Sequence, residues 1–226
     1  MAVMDLEEQE QMAEIKAWWK RWGNLVTVIV LVVSVAVLGY RGYDYYRNHQ
    51  AQNAMVPYEL LKEAIAANDM DKVMGAADSL AKDYAKTSYA TMGNLEAATA
   101  LFNAKDYDGA VKRFRWVIDN GTLPEWQMLA RINLAQVLMD QQKYDDAVKV
   151  LSVEPVDGFA PLLLATKGDV YWVSEQLPLA REAYQAALTA MDKPIDGTIS
   201  ETETKEEMAA LRAFIEFKLD AVGVSQ

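Results

Sequence analysis

The residues able to do covalent or metal chemistry are scarce in this chain, which has no cysteine and a single histidine, His49. A Cys–His nucleophile pair and a histidine-rich metal cluster are therefore both excluded. Carboxylates abound, but they are spread along helical faces as solvated charge, without an acid/base spacing. A carboxylate-only hydrolase is the enzymatic reading left, and it would need a pocket of convergent polar groups that the sequence does not display. The triplet Asn120-Gly121-Thr122 matches a glycosylation sequon, yet a turn after a helix explains it more simply. The expectation is a protein that is not an enzyme, with no cofactor, no metal and no small-molecule substrate.

The elements that would position any binding surface begin with a membrane span. Nineteen consecutive uncharged residues run from Trp22 to Tyr40, between Arg21 and Arg41. As a helix this stretch is about 28 Å long, close to the hydrocarbon thickness of a bilayer. Trp18, Trp19 and Trp22 on one side, and Tyr40, Tyr43, Tyr45 and Tyr46 on the other, suit the two headgroup layers, so contact with membrane lipid is expected there. A cleaved signal peptide fits less well. Its small-x-small cleavage site should follow the apolar run, whereas Ser34-Val35-Ala36 lies inside it. Lys16, Lys20 and Arg21 precede the span and Arg41 and Arg47 follow it, a slight bias toward a cytoplasmic amino terminus and export of the rest. The expected organisation is a cytoplasmic segment over 1–21, the span over 22–40, a connector over 41–51 and a soluble domain over 52–226.

From residue 50 onward, 17 Lys and Arg face 27 Asp and Glu. Such a surface repels phosphate backbones, so nucleic acid is not an expected partner. This part is long enough for one compact domain with its own core. It has helical periodicity throughout, with breaks at Asn68-Asp69, Lys105-Asp106, Asn120-Gly121, Gln141-Gln142, Pro155 to Gly158, Gln176 to Pro178 and Lys193 to Gly197. The fold class predicted is all-α.

The helical segments repeat. Tyr107 to Ala110 and on to Phe114, Tyr144 to Ala147 and on to Leu151, and Leu177 to Ala180 and on to Tyr184 share one pattern, with the alanines 37 and 33 residues apart. Twelve residues before each alanine stand Ala98, Ala135 and Gly168, small enough for two antiparallel helices to approach closely, and three further on stand Leu101, Leu138 and Tyr171. This resembles the tetratricopeptide repeat, a helical hairpin that buries its apolar face only by stacking on neighbours. A generic alanine-rich bundle is the alternative. A degenerate first unit is expected over Gln52 to Tyr84, with Val73 in the alanine's place, and a capping helix over about Lys205 to Ala221. Between the last unit and that helix, Asp192 to Thr204 reads as a mobile loop.

Stacked units put their first helices on the concave surface, where such proteins bind peptides. The alanine register places Phe102, Met139 and Trp172 in one concave row and Leu95, Ile132 and Ala165 in the next, an apolar groove for sequence-tolerant contacts. The carboxy-terminal helix could instead fill this groove, and the sequence leaves both arrangements open.

Taken in order, the acidic amino-terminal segment, Lys16-Ala17-Trp18-Trp19-Lys20-Arg21-Trp22-Gly23-Asn24, the single span, Gly39-Tyr40-Arg41, Asn48-His49-Gln50-Ala51 and Tyr84 to Ala90 before Leu95-Glu96-Ala97-Ala98 resemble the YfgM-type ancillary subunits of the bacterial Sec translocon. The resemblance implies a single-pass inner-membrane protein, amino terminus inside, with its repeat domain in the periplasm beside the SecYEG channel. It also implies association with a PpiD-like chaperone and contact with nascent exported polypeptides, and carries over no catalytic residue. The rival reading is a membrane-anchored repeat scaffold for a different envelope assembly with one fixed partner.

Overall fold

The computed structural model describes residues 6–192 and 201–224, with side chains placed over 11–192 and 208–223. The described residues form helices and no strand: α1 (Leu6–Ala66), α2 (Met70–Asp83), α3 (Ser88–Asn103), α4 (Tyr107–Asn120), α5 (Pro124–Asp140), α6 (Tyr144–Leu151), α7 (Ala160–Val173), α8 (Leu177–Met191) and α9 (Glu201–Val224). They divide into two compact units, 1–50 and 51–226.

In the first of these units the apolar side chains from Leu25 to Leu38, other than half-buried Val26, are exposed, and so are Trp18, Trp19, Trp22, Tyr40 and Tyr43. The most apolar 18-residue window of α1 has a mean hydropathy of 2.2 and is only 6% buried. The helix is long and apolar enough to cross a bilayer, and little of that window is covered by protein. The two hydroxyls inside it are satisfied within the helix, Thr27 donating to the Gly23 carbonyl at 2.8 Å and Ser34 to the Val30 carbonyl at 2.7 Å. Residues 41–51, expected as a connector, are helical.

The second unit is a row of helical hairpins. Four turns have the same construction, with Asn68, Lys105, Gln142 and Glu175 at positive φ. In each, the left-handed residue and the one after it donate backward to two carbonyls of the preceding helix, as when Lys105 N–H bonds Phe102 O at 2.9 Å and Asp106 N–H bonds Leu101 O at 2.9 Å. This Schellman arrangement closes a helix in the fewest residues and turns the chain back on itself. Its recurrence marks four units: residues 51–66 of α1 with α2, α3 with α4, α5 with α6, and α7 with α8. Helices α2 and α4 then start on a side-chain cap, Asp69 accepting from Lys72 N–H at 3.2 Å and Asp106 from Gly109 N–H at 3.0 Å, α8 has Pro178 in its first turn, and α6 has neither.

The small residues stand where the register put them. Ala98, Ala135, Ala110, Ala147 and Ala180 are fully buried, as is Val73 in the first unit. At Gly168 an added Cβ would lie 2.5 Å from the Tyr184 ring, so α7 and α8 meet at a distance only glycine allows. Helix α9 packs on α8 and is longer at both ends than predicted. The expected break at Lys193 to Gly197 and most of the loop expected over Asp192 to Thr204 lie outside the described residues, while Glu201 to Thr204 already belong to α9.

Candidate partner-binding groove

Helix α3 presents two stripes to its surroundings. Ala97, Ala98 and Leu101 face the neighbouring helices and are buried. Met92, Glu96, Thr99 and Asn103, spaced i, i+4, i+7 and i+11, form a second stripe that lines a groove. Ile65 closes it on one side, and Trp126, Leu129 and Asn133 of α5 close it on the other. Leu95 and Ala100 complete the floor of a cavity of about 450 Å³, which reaches solvent past exposed Thr99 and Asn103. Three first helices of three successive units thus share one largely apolar surface.

One ionisable side chain lines this cavity, and it is held in place. Tyr58, buried in the first helical hairpin, donates its hydroxyl hydrogen to Glu96 Oε1 at 2.7 Å. Tyr89 packs against Tyr58 with ring centroids 5.2 Å apart, fixing the phenol. Burial, and then the Glu96 carboxylate, push the Tyr58 phenol up to about 12. The phenol therefore stays protonated and goes on donating, which leaves Glu96 Oε2 free to meet a ligand.

The residues expected to line the groove are distributed differently. Leu95 is on the cavity floor, although only 7% exposed, whereas Ile132 lies in the core at 2%. Phe102 and Met139 are half-buried against the core, and Phe102 packs beside Tyr107 across its own hairpin turn, ring centroids 6.0 Å apart. Phe102 follows Ala98 by four residues and so shares the face that looks at the paired helix, not the concave one. Ala165 and Trp172 join a separate cluster with Tyr184, Leu211, Ile215, Leu219 and Val222, the last four from α9. Met92, Glu96, Thr99, Asn103, Trp126, Leu129 and Asn133 were not among the residues expected to line the groove. The signal that could have found the α3 residues is their own helical stripe, one step around from the alanine register.

The end of the domain away from this groove is closed by α9. Asp169 of α7 accepts both from Tyr184 Oη and from Lys218 Nζ of α9, each at 2.6 Å. Lys218 also lies 4.1 Å from the centroid of the Phe214 ring. Burial and the Asp169 carboxylate raise the pKa of Tyr184. One carboxylate thereby ties three helices together. Among the described residues no three His, Cys, Asp or Glu side chains are grouped so as to hold a metal ion.

The family model for a tetratricopeptide repeat-like domain matches residues 16–224. The ancillary SecYEG translocon subunit of Neisseria gonorrhoeae (strain ATCC 700825 / FA 1090) is 34% identical over 190 residues, covering 82% of this chain and 90% of that protein. The protein of the same name from Aggregatibacter actinomycetemcomitans is 26% identical over 80% of this chain and 89% of its own. That from Escherichia coli (strain K12) is 20% identical over 80% and 87% respectively. Among solved structures, MamA 41-end from Desulfovibrio magneticus RS-1 aligns with a TM-score of 0.48 at 18% identity, over 76% of this chain and 96% of that one.

Proposed function

Because the chain belongs to the tetratricopeptide repeat-like family of ancillary SecYEG translocon subunits, we propose that it is a non-enzymatic subunit working at the periplasmic exit of the channel. There it binds partner proteins through its repeat domain, links the channel to a PpiD-like chaperone and assists the release of exported polypeptides. The observation that carries this reading is the groove shared by α3, α5 and the end of α1, an apolar surface left open in a domain tethered to a membrane helix. Tethering supports weak contacts. A domain held beside the channel meets each emerging chain at an effective concentration of about millimolar, so no single contact has to be strong.

In the proposed topology the amino terminus is cytoplasmic, residues 22–40 span the membrane, and 52–226 are periplasmic. Trp18, Trp19 and Trp22 mark one headgroup layer and Tyr40 and Tyr43 the other. Because the chain has no cysteine, one introduced at exposed Asp119 reports the side directly. A membrane-impermeant thiol reagent added to spheroplasts labels it if the domain is outside, and leaves it unlabelled if the proposed orientation is wrong.

The function is tested by a photoreactive amino acid at Leu129 in intact cells, with Gln185 on the exposed face of α8 as control. Adducts to channel subunits, the chaperone and several exported chains, specific to Leu129, are the expected result. One dominant adduct to an unrelated envelope protein would instead favour a fixed scaffold.

A further inference from the structure

We propose that the groove takes an extended, apolar polypeptide segment carrying a lysine or arginine, whose cation pairs with Glu96 and whose backbone is bridged by the Asn103 and Asn133 side-chain amides. This rests on the reading that the groove is the partner surface, and adds the chemistry of the occupant.

The apolar part of the occupant follows from the walls. Ile65, Met92, Leu95, Trp126 and Leu129 offer aliphatic, thioether and indole surface without a hydroxyl or charge among them. Methionine and a broad aromatic face adapt to side chains of different shape, which suits a segment selected for being apolar more than for its order of residues.

The cation follows from charge complementarity. Glu96 is the only ionisable residue among those lining the cavity, in a chain of net charge −11. Tyr58 fixes Oε1, and no described residue bonds Oε2. An anionic segment would bring its carboxylate against a fixed carboxylate at an apolar wall. A lysine or arginine there gains a charge-assisted hydrogen bond to a group already oriented for it.

The extended conformation follows from the amides. Asn103 of α3 and Asn133 of α5 lie on opposite walls, and neither side chain bonds another described residue. Each amide is both donor and acceptor, the complement of a peptide unit. A helical occupant spends its N–H and C=O groups internally and offers these amides nothing. An extended one leaves them available and turns alternate side chains into the groove.

The test uses the full chain in phosphatidylcholine nanodiscs, with empty nanodiscs as the blank. The probes are fluorescein-labelled ten-residue peptides of leucine and serine with one central lysine, norleucine or glutamate. Anisotropy is expected to rank lysine about tenfold above norleucine, the worth of one charge-assisted hydrogen bond, with glutamate weakest. Glu96→Gln, whose amide oxygen still accepts from Tyr58, is expected to abolish that ranking while preserving binding of the norleucine peptide. Asn103→Ala and Asn133→Ala are expected to weaken all three peptides alike. Trp126→Ala, and the exposed substitution Thr99→Arg should Trp126→Ala fail to fold, are expected to remove binding.

Equal binding of the lysine and norleucine peptides, still lost on Thr99→Arg, would overturn the cation preference and leave the groove as a peptide site. No binding of any peptide would overturn both. Tighter binding by a helix-locked, α-aminoisobutyrate-rich peptide than by the flexible one would overturn the extended conformation. Self-association of the chain abolished by Thr99→Arg, without peptide binding, would give the groove to a second copy and overturn the proposal.

Discussion

The two ends of the repeat domain use one architecture to opposite effect. At the groove, first helices from three units expose an apolar surface around one tethered carboxylate, Glu96. At the other end, Ala165 and Trp172 on the first helix of the last unit belong to the cluster that also holds Ile215 and Val222 of α9, and a second tethered carboxylate, Asp169, already holds a lysine. Each site pairs a carboxylate with a tyrosine hydroxyl, Tyr58 to Glu96 and Tyr184 to Asp169. The difference is that Asp169 has its cation from within the chain and Glu96 has none. A solenoid has two exposed ends and must close the one that ends in water, and the cap shows what chemistry closes such a surface: aliphatic side chains and a lysine.

That comparison breaks first at Gly168. Gly168→Leu is expected to cost about 3 kcal/mol, because its side chain enters space held by the Tyr184 ring and forces α7 from α8. Urea unfolding of the full chain, followed by tryptophan fluorescence, measures it, and a variant as stable as the parent would undo the helix register. Trp172→Ala comes next. A half-buried tryptophan packed against the cluster shared by α7, α8 and α9 is expected to contribute about 2 kcal/mol, so this variant melts earlier, and selective loss of partner binding at unchanged stability would return Trp172 to the binding surface.

Asp169→Ala sharpens the contrast between the two carboxylates. It leaves Lys218, with a side chain only 14% exposed, without its counter-ion and the Tyr184 hydroxyl without its acceptor. A loss of about 1–2 kcal/mol is expected, with hydrogen exchange rising in α9 before α3. Exchange rising equally in both helices would mean that the two ends unfold as one.

The tyrosines separate the ends by pH. Both hold their proton more tightly folded than unfolded, so their contribution to stability is complete below about pH 10 and is lost above it. For Tyr58 the loss runs to about pH 12. Tyr58→Phe is expected to flatten the fall in unfolding free energy between about pH 10 and 12 at the groove end, leaving the Tyr184 part of the fall. An unchanged profile would show that Glu96 does not hold Tyr58. The smallest stability effect is Thr99→Arg, at an exposed groove position, expected within about 0.5 kcal/mol of the parent while abolishing partner crosslinks at Leu129.

Much of the fold could be read from spacing. The breaks at Asn68-Asp69, Lys105-Asp106, Gln141-Gln142 and Gln176 fall at the four hairpin turns, and the alanine register finds the helix pairs. Less legible was the turn chemistry. Lys105, Gln142 and Glu175 are unusual residues for positive φ, and only the recurring backbone bonds explain them. The groove was legible only in outline. Buried alanines give the angle of the face between paired helices, but the concave face lies rotated from it, and a rotation of one residue exchanges Phe102 for Asn103.

Composition and periodicity alone determined a helical repeat domain on one long apolar helix, because 3.6-residue spacing, small residues at close approaches and nineteen uncharged residues are local properties of a chain. Only the tertiary structure decided which apolar residues are core, which meet α9 and which are left open. Those outcomes depend on how each helix is rotated against its neighbours, and on the pairing of Asp169 with Lys218, 49 residues away, which no local pattern encodes.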